Sequence, residues 1–111
     1  MSNVKHTTDL TFTEDVVNSD QPVLVDFYAD WCAPCVALSP VVEEIANENA
    51  DTLRVVKIDV DENPEVATKL DIRSLPTLAV FKDGGAVERW SGITPKDEIL
   101  ARIQNHATVT N

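Results

Sequence analysis

The sequence predicts an α/β fold: a central mixed sheet of five strands flanked by four helices, layered α/β/α. Three observations predict it. Apolar runs of strand length alternate with segments of helical periodicity, which favours strands paired in parallel through helical crossovers. Val23–Tyr28 is nearly continuous in apolar residues and rich in β-formers, as in a strand buried on both faces. Asp83-Gly84-Gly85 stands between two β-rich runs, a hairpin signal that adds an antiparallel edge.

Taken in order, Leu10 and Phe12 are expected in a short first strand. Thr13 then caps a short helix through Ser19, with Glu14 and Asp15 in its first turn. After the strand at Val23–Tyr28, a helix is expected over Ala33–Asn49. Val36, Leu38, Val41, Val42, Ile45 and Ala46 supply its apolar stripe. Pro40 lies inside it, which removes one backbone hydrogen bond and should kink it. Leu53–Val60 reads as the next strand. Asn63 caps a short helix opened by Pro64 and ending near Leu70. Leu78–Phe81 and Ala86–Trp90 are the hairpin strands. Thr94 is the expected cap of a last helix that starts at Pro95, with Ile99, Leu100 and Ile103 on one face. Residues 1–9 and the polar tail at 107–111 are expected to be flexible ends. The order is β-α-β-α-β-α-β-β-α, with no internal repeat and no linker.

With 111 residues, positions 1–111 have room for one domain. A chain of this size buries roughly two-thirds of the surface it exposes when unfolded, enough for its own core. Nine Lys and Arg against nineteen Asp and Glu give a net charge of −10. Phosphate binding rests on clustered Lys and Arg, so nucleic acid is not an expected partner. An acidic balance solubilises a surface, or adapts it to salt; composition leaves both open. No apolar stretch approaches the ~20 residues a membrane span needs, so no membrane role is expected. The segment Met1–Asp9 is polar, with no apolar run behind a basic start; no secretory signal and a cytoplasmic location are expected.

The two cysteines, Cys32 and Cys35, stand in Trp31-Cys32-Ala33-Pro34-Cys35, where a strand ends and a helix begins. Residues three apart share one side of a helical turn, so the sulfurs can approach. A regular helical pair is still too wide for a relaxed disulfide, at ~5–6 Å between Cβ atoms against ~3.5–4.5 Å. Cys32 at the non-helical cap position would relieve that mismatch. Pro34 suits the first turn, where backbone N–H groups have no intrahelical partner. At the helix start the unpaired N–H groups and the positive end of the dipole favour a Cys32 thiolate. Cys35, further into the turn, is expected to be more buried. The asymmetry makes Cys32 the nucleophile and Cys35 the resolving thiol.

Two other readings use the same pair. Cys-x-x-Cys is half of a zinc site, but structural zinc takes four ligands, and only His6 and His106 remain, near opposite termini. No metal is expected. An inert structural disulfide would close so small a ring that it removes little unfolded-state entropy. Elsewhere, Asp26 is an acid inside an apolar strand. An acid at a strand end or paired with a cation fits as well as a functional one. On pattern alone, Trp31 and Ile93 read as core residues, and Pro76 as an ordinary turn residue.

Val25-Asp26-Phe27-Tyr28-Ala29-Asp30-Trp31-Cys32-Ala33-Pro34-Cys35, with Pro40, resembles the active-site segment of the thioredoxin family. The likeness continues through Lys57, Asp59-Val60-Asp61, Asn63-Pro64, Arg73-Ser74-Leu75-Pro76-Thr77, Phe81, Gly84 and Gly92, covering about residues 10 to 105. It implies the thioredoxin fold and disulfide reduction by dithiol–disulfide exchange. By the same resemblance Asp26 is buried near the cysteines and a lysine matching Lys57, and assists proton transfer at Cys35. Pro76 would be a cis proline that shapes a groove for an extended substrate. Trp31, Ala33, Pro34, Val60, Leu75, Gly92 and Ile93 would contact that substrate.

The resemblance also implies partners: a thioredoxin reductase and disulfide-containing client proteins. It implies a monomer with no bound cofactor beyond the redox-active disulfide Cys32–Cys35. Three positions depart from the family pattern. Ala33 stands where most members have glycine, Val36 where a basic residue is common, and Tyr28 where tryptophan is frequent. Ala33 restricts the backbone and Val36 removes a cation that favours the thiolate, which leaves the redox potential open. Two alternatives share the fold: an exported thiol oxidase or isomerase, and a binding subunit without redox turnover.

Overall fold

A computed structural model describes residues 2–110. Five strands, β1 (Val4–His6), β2 (Val23–Tyr28), β3 (Arg54–Asp59), β4 (Thr77–Lys82) and β5 (Gly85–Ser91), form one sheet in the order β1-β3-β2-β4-β5. β1 and β2 both pair in parallel with β3; β4 joins β2 antiparallel, and β5 closes the edge antiparallel to β4. The helical elements are a π-helical segment at Thr13–Val17 and three α-helices, α1 (Ala33–Glu48), α2 (Pro64–Lys69) and α3 (Lys96–Gln104).

Alternation along β2 explains both its continuous apolar run and the position of the site. Successive side chains point to opposite faces of a strand, and here both faces are covered. Leu24 joins Val55, Leu78 and Val80 in a core beneath Leu38, Val42 and Ile45 of α1 and Ile99, Leu100 and Ile103 of α3. Val23, Val25 and Phe27 join Val56, Ile58, Ala79 and Phe81 in a second core with Phe12, Val16 and Val66. Each fully buried Leu, Ile or Phe contributes about 1.5–3 kcal/mol relative to exposure, so the two cores hold the layers against the sheet. Asp26, two residues after Leu24, falls on the α1 face of the strand.

The order of elements is the expected one, and several details differ. The first strand is Val4–His6, not the segment around Leu10 and Phe12. Leu10 is exposed, while Phe12 is buried against Phe81 at a ring separation of 5.7 Å. Val4-Lys5-His6, an edge strand of three residues with one apolar side chain, is too short to show a period that could mark it. Thr13 does not cap the next helix: Phe12 holds the cap position in helical conformation without a side-chain bond. Asn63 sits at the cap position of α2 but makes no capping bond; the Asp9 carboxylate accepts the N–H groups of Glu65 and Val66 instead, at 3.1 and 2.9 Å. Pro95 is the cap of α3 rather than its first residue, and the Thr94 hydroxyl donates to Gly92 O instead. The ends, expected to be loose, carry contacts: Val4 packs on the core, Val109 is buried, and Thr110 N–H donates to Asn49 Oδ1 at 2.8 Å. The hairpin turn is the two residues Asp83 and Gly84, at φ 54° and 87°. Two successive positive φ values match the right-handed twist of the strands they join.

Candidate active site

The chain leaves β2 at Tyr28, turns through Ala29-Asp30-Trp31 and enters α1 at Ala33. Cys32 is the cap residue of that helix, with extended backbone at φ −86° and ψ 103°. Its Sγ accepts the Cys35 N–H at 3.2 Å, so the sulfur takes the place of the usual capping oxygen. Pro34 occupies the first turn, where its missing N–H leaves nothing unpaired. Cys32 and Cys35 form a disulfide with Cα atoms 5.2 Å apart, inside the range such bonds require. The extended cap resolves the width mismatch that two fully helical cysteines would face.

Both cysteines are buried, Cys32 at 4% and Cys35 at 3% exposure, so the expected difference in burial is not found in this oxidised state. Their surroundings do differ. Cys35 lines a cleft of about 210 Å³ with Tyr28, Ala29, Asp30, Val36, Ser39 and Lys57; Cys32 does not line it. Ala29 packs with the two cysteines, and the half-buried Tyr28, Val60 and Leu75 pack against them. Trp31 is 72% exposed, Ile93 62% and Val36 61%. None of the three belongs to a core, which corrects the core reading of Trp31 and Ile93 and removes Val36 from the apolar stripe of α1. The Trp31 indole N–H donates to Asp61 Oδ2 at 2.7 Å, which fixes the ring over the start of the β3–α2 connection.

The Leu75–Pro76 peptide bond is cis, and Gly92 N–H donates to Pro76 O at 2.9 Å. That bond ties the Leu75-Pro76 turn to the end of β5. Gly92 has φ 95°, a left-handed conformation that side chains resist. Ala33 and Pro34 are exposed at the tip of α1.

Behind the disulfide, Asp26 is 1% exposed, and neither carboxyl oxygen has a hydrogen-bond partner. Burial pushes its carboxyl up to about 6, with the Lys57 charge pulling against that rise. Lys57 is its register partner across the parallel β2–β3 pair. The two nevertheless form no ion pair among the described residues. Lys57 Nζ instead donates to Ser39 Oγ at 3.0 Å and lies 4.5 Å from the centre of the Tyr28 ring. Burial, and then the charges of Asp59, Asp30 and Asp26, push the Tyr28 phenol upward, so the ring meets the ammonium uncharged.

Ser39 and Asp61 were not singled out by sequence reasoning as site residues. Ser39 could have been found from spacing: it lies four residues after Cys35, on the same side of α1. Nothing in the pattern pairs Asp61 with Trp31. No cluster of three or more His, Cys, Asp or Glu able to hold a metal occurs among the described residues. A larger concavity, about 550 Å³, lies at the other end of β2 between Asp20, Gln21, Lys82 and His106, with no cysteine in its lining. Concavity alone does not mark the reactive site here. The bridged sulfurs at a helix start do.

The thioredoxin family model matches residues 3–105. The chain belongs to the thioredoxin family. It is 47% identical over 106 residues to "Thioredoxin 1" of Synechococcus elongatus, covering 96% of this chain and 99% of that one. The corresponding figure for "Thioredoxin 1" of a Nostoc species is 46%, again over 96% and 99%. "Thioredoxin" of Mycobacterium tuberculosis is 49% identical over 98 residues, 88% of this chain and 84% of the relative. Thioredoxin-family membership together with the Cys32–Cys35 disulfide makes the protein a thiol–disulfide oxidoreductase. The mixed five-stranded sheet and its helices are the thioredoxin fold.

Proposed function

We propose that the protein reduces disulfides in client proteins, with Cys32 attacking and Cys35 resolving. In the dithiol state the Cys32 thiolate attacks one sulfur of a client disulfide. A bond forms between Cys32 Sγ and that sulfur, and the other client sulfur leaves as a thiolate. Cys35 gives its proton to Asp26 and attacks Cys32 Sγ; the internal disulfide forms, the bond between Cys32 and the client breaks, and the client sulfur it held leaves as a thiolate. The observation that carries this reading is the seat of Cys32. Its sulfur stands at the positive end of α1 and already accepts an N–H at 3.2 Å, an arrangement that stabilises a thiolate.

An extended client segment fits beside Pro76 by strand-like backbone contact, against Trp31, Ala33, Pro34, Val60, Leu75, Gly92 and Ile93. The exposed apolar surface at Trp31 and Ile93 supports that docking face. Asp26 and Lys57 supply the proton acceptor and the charge beside it. A thioredoxin reductase returns the disulfide to the dithiol, and the cycle maintains cytoplasmic redox balance. Residues 1–111 act as one monomeric domain, with the disulfide as the only redox group required.

Insulin reduction driven by dithiothreitol tests the assignment. Cys32→Ser brings turnover to background, and Cys35→Ser accumulates a mixed disulfide visible by mass spectrometry. Full activity in Cys32→Ser overturns the choice of nucleophile. Equilibration of the couple with glutathione and dithiothreitol tests the direction; a strongly oxidising potential would favour the exported oxidase reading.

A further inference from the structure

Lys57 and Asp26 are opposite charges on one face of neighbouring parallel strands, in direct register. Such neighbours are well placed to pair. They do not pair here. Both Asp26 oxygens remain without a partner, while the Lys57 ammonium is held by α1 and by β2: Ser39 Oγ at 3.0 Å and the face of Tyr28 at 4.5 Å. Ser39 is one turn beyond Cys35 and lines the same cleft.

We propose that Ser39 is a positioning residue of the exchange reaction: its hydroxyl holds the Lys57 ammonium beside the cleft, away from Asp26, and so leaves the Asp26 carboxylate free to take the Cys35 proton. The inference rests on the reading of Asp26 as proton acceptor. An ammonium seated on Asp26 would hold it ionised and make it a weaker base. An ammonium at the distance of Ser39 still offsets part of the cost of the buried charge. The serine therefore sets a compromise between the two.

Few other charges can substitute for this contact. From α1 the neighbour is Cys35, which is bridged to Cys32 in the oxidised protein and titrates only once reduced. β2 contributes Tyr28, and β3 contributes Asp59. The connection after β2 contributes Asp30. β1 contributes His6, in register with Lys57 and with Nδ1 3.5 Å from the Tyr28 hydroxyl. β4 faces Asp26 with Leu78, which does not titrate. Without the Ser39 hydroxyl, the buried acceptor nearest in register that still lacks a partner is Asp26.

The test is a carbon-13 NMR titration of the Asp26 carboxyl in the oxidised protein, in parallel with the pH dependence of mixed-disulfide resolution. Ser39→Ala lowers the Asp26 midpoint by about one pH unit, the low end of the effect of an opposite charge brought into contact with a carboxylate. Ser39→Thr keeps the hydroxyl and the midpoint. Ser39→Val, of the same shape as threonine, reproduces the shift of Ser39→Ala and so separates the hydroxyl from packing. An unchanged or raised midpoint in Ser39→Ala or Ser39→Val overturns the proposal. The resolution rate in Asp26→Asn judges the proton acceptor separately: a pH profile unmoved by that change overturns the role of Asp26, and with it the catalytic meaning of Ser39.

Discussion

Asp26 is a carboxylic acid inside a sheet, with both oxygens out of reach of any donor. Its folded pKa, about 6, lies above the ordinary 3.8 because burial disfavours the charge. A raised acid binds more protons folded than unfolded between those values, so its contribution to stability is full below pH 3.8 and is lost as pH rises through 6. The difference corresponds to about 3 kcal/mol carried as a cost near neutrality. Asp26→Asn removes the charge while leaving a polar group of the same shape. Urea unfolding is therefore expected to show the variant more stable by up to about 3 kcal/mol at pH 8, and close to wild type at pH 4. An equal gain at both values would mean that packing, not ionisation, is responsible. The acid was legible in the sequence because it interrupts an apolar run. The cysteine pair was legible from its spacing and its place at a strand–helix junction. Ser39 was not, since a serine in a helix has many uses and its link to Lys57 exists only once α1 lies on β3. Trp31 and Ile93 misled on hydrophobicity alone, because a large apolar side chain is no proof of burial: both are exposed.

α2 shows how an element can be marked in sequence while its support is not. Six residues are too few for a helix to stand by its own hydrogen bonds. Its first turn is held by Asp9, 56 and 57 positions away from the N–H groups it accepts. Beyond its last turn, the Arg89 guanidinium donates to Leu70 O and Asp71 O at 2.5 and 2.6 Å. Asp9→Ala is expected to cost about 1 kcal/mol, the usual range for a lost cap, with the denaturant slope unchanged. Faster hydrogen exchange at the Glu65 and Val66 amides would locate the loss at this turn; unchanged exchange there would refute it. Pro64 after Asn63 was enough to foresee the helix, though Asn63 makes no capping bond, and Asp83-Gly84-Gly85 was enough to foresee the hairpin. A cap supplied from a distant loop, and an edge strand of only three residues, leave no local trace. Both are fixed by tertiary contact.

At the scale of the whole molecule, charge is the dominant asymmetry. The net charge is −10, yet only six of the nineteen carboxylates take part in an ion pair among the described residues: Asp15, Glu44, Glu48, Asp71, Glu88 and Glu98. Most of those pairs are exposed on at least one side, where each contributes about 0–1 kcal/mol and weakens with salt. The remaining carboxylates repel one another across a molecule only 32 × 30 × 27 Å in extent. At ~0.01 M ionic strength the screening length is ~30 Å, comparable with the molecule itself, so nearly every pair of like charges interacts. At ~0.5 M it is shorter than the spacing of most surface groups. Screening therefore removes more repulsion than attraction. The urea midpoint is expected to rise between ~0.01 and ~0.5 M sodium chloride at constant slope, because the folded state holds its charges closer than the unfolded chain does. Sodium chloride is the suitable salt, since sulfate would strengthen apolar burial whatever the charge. A midpoint that falls with salt would show that the six paired carboxylates outweigh the thirteen others, and that the acidic surface is organised for attraction within the fold.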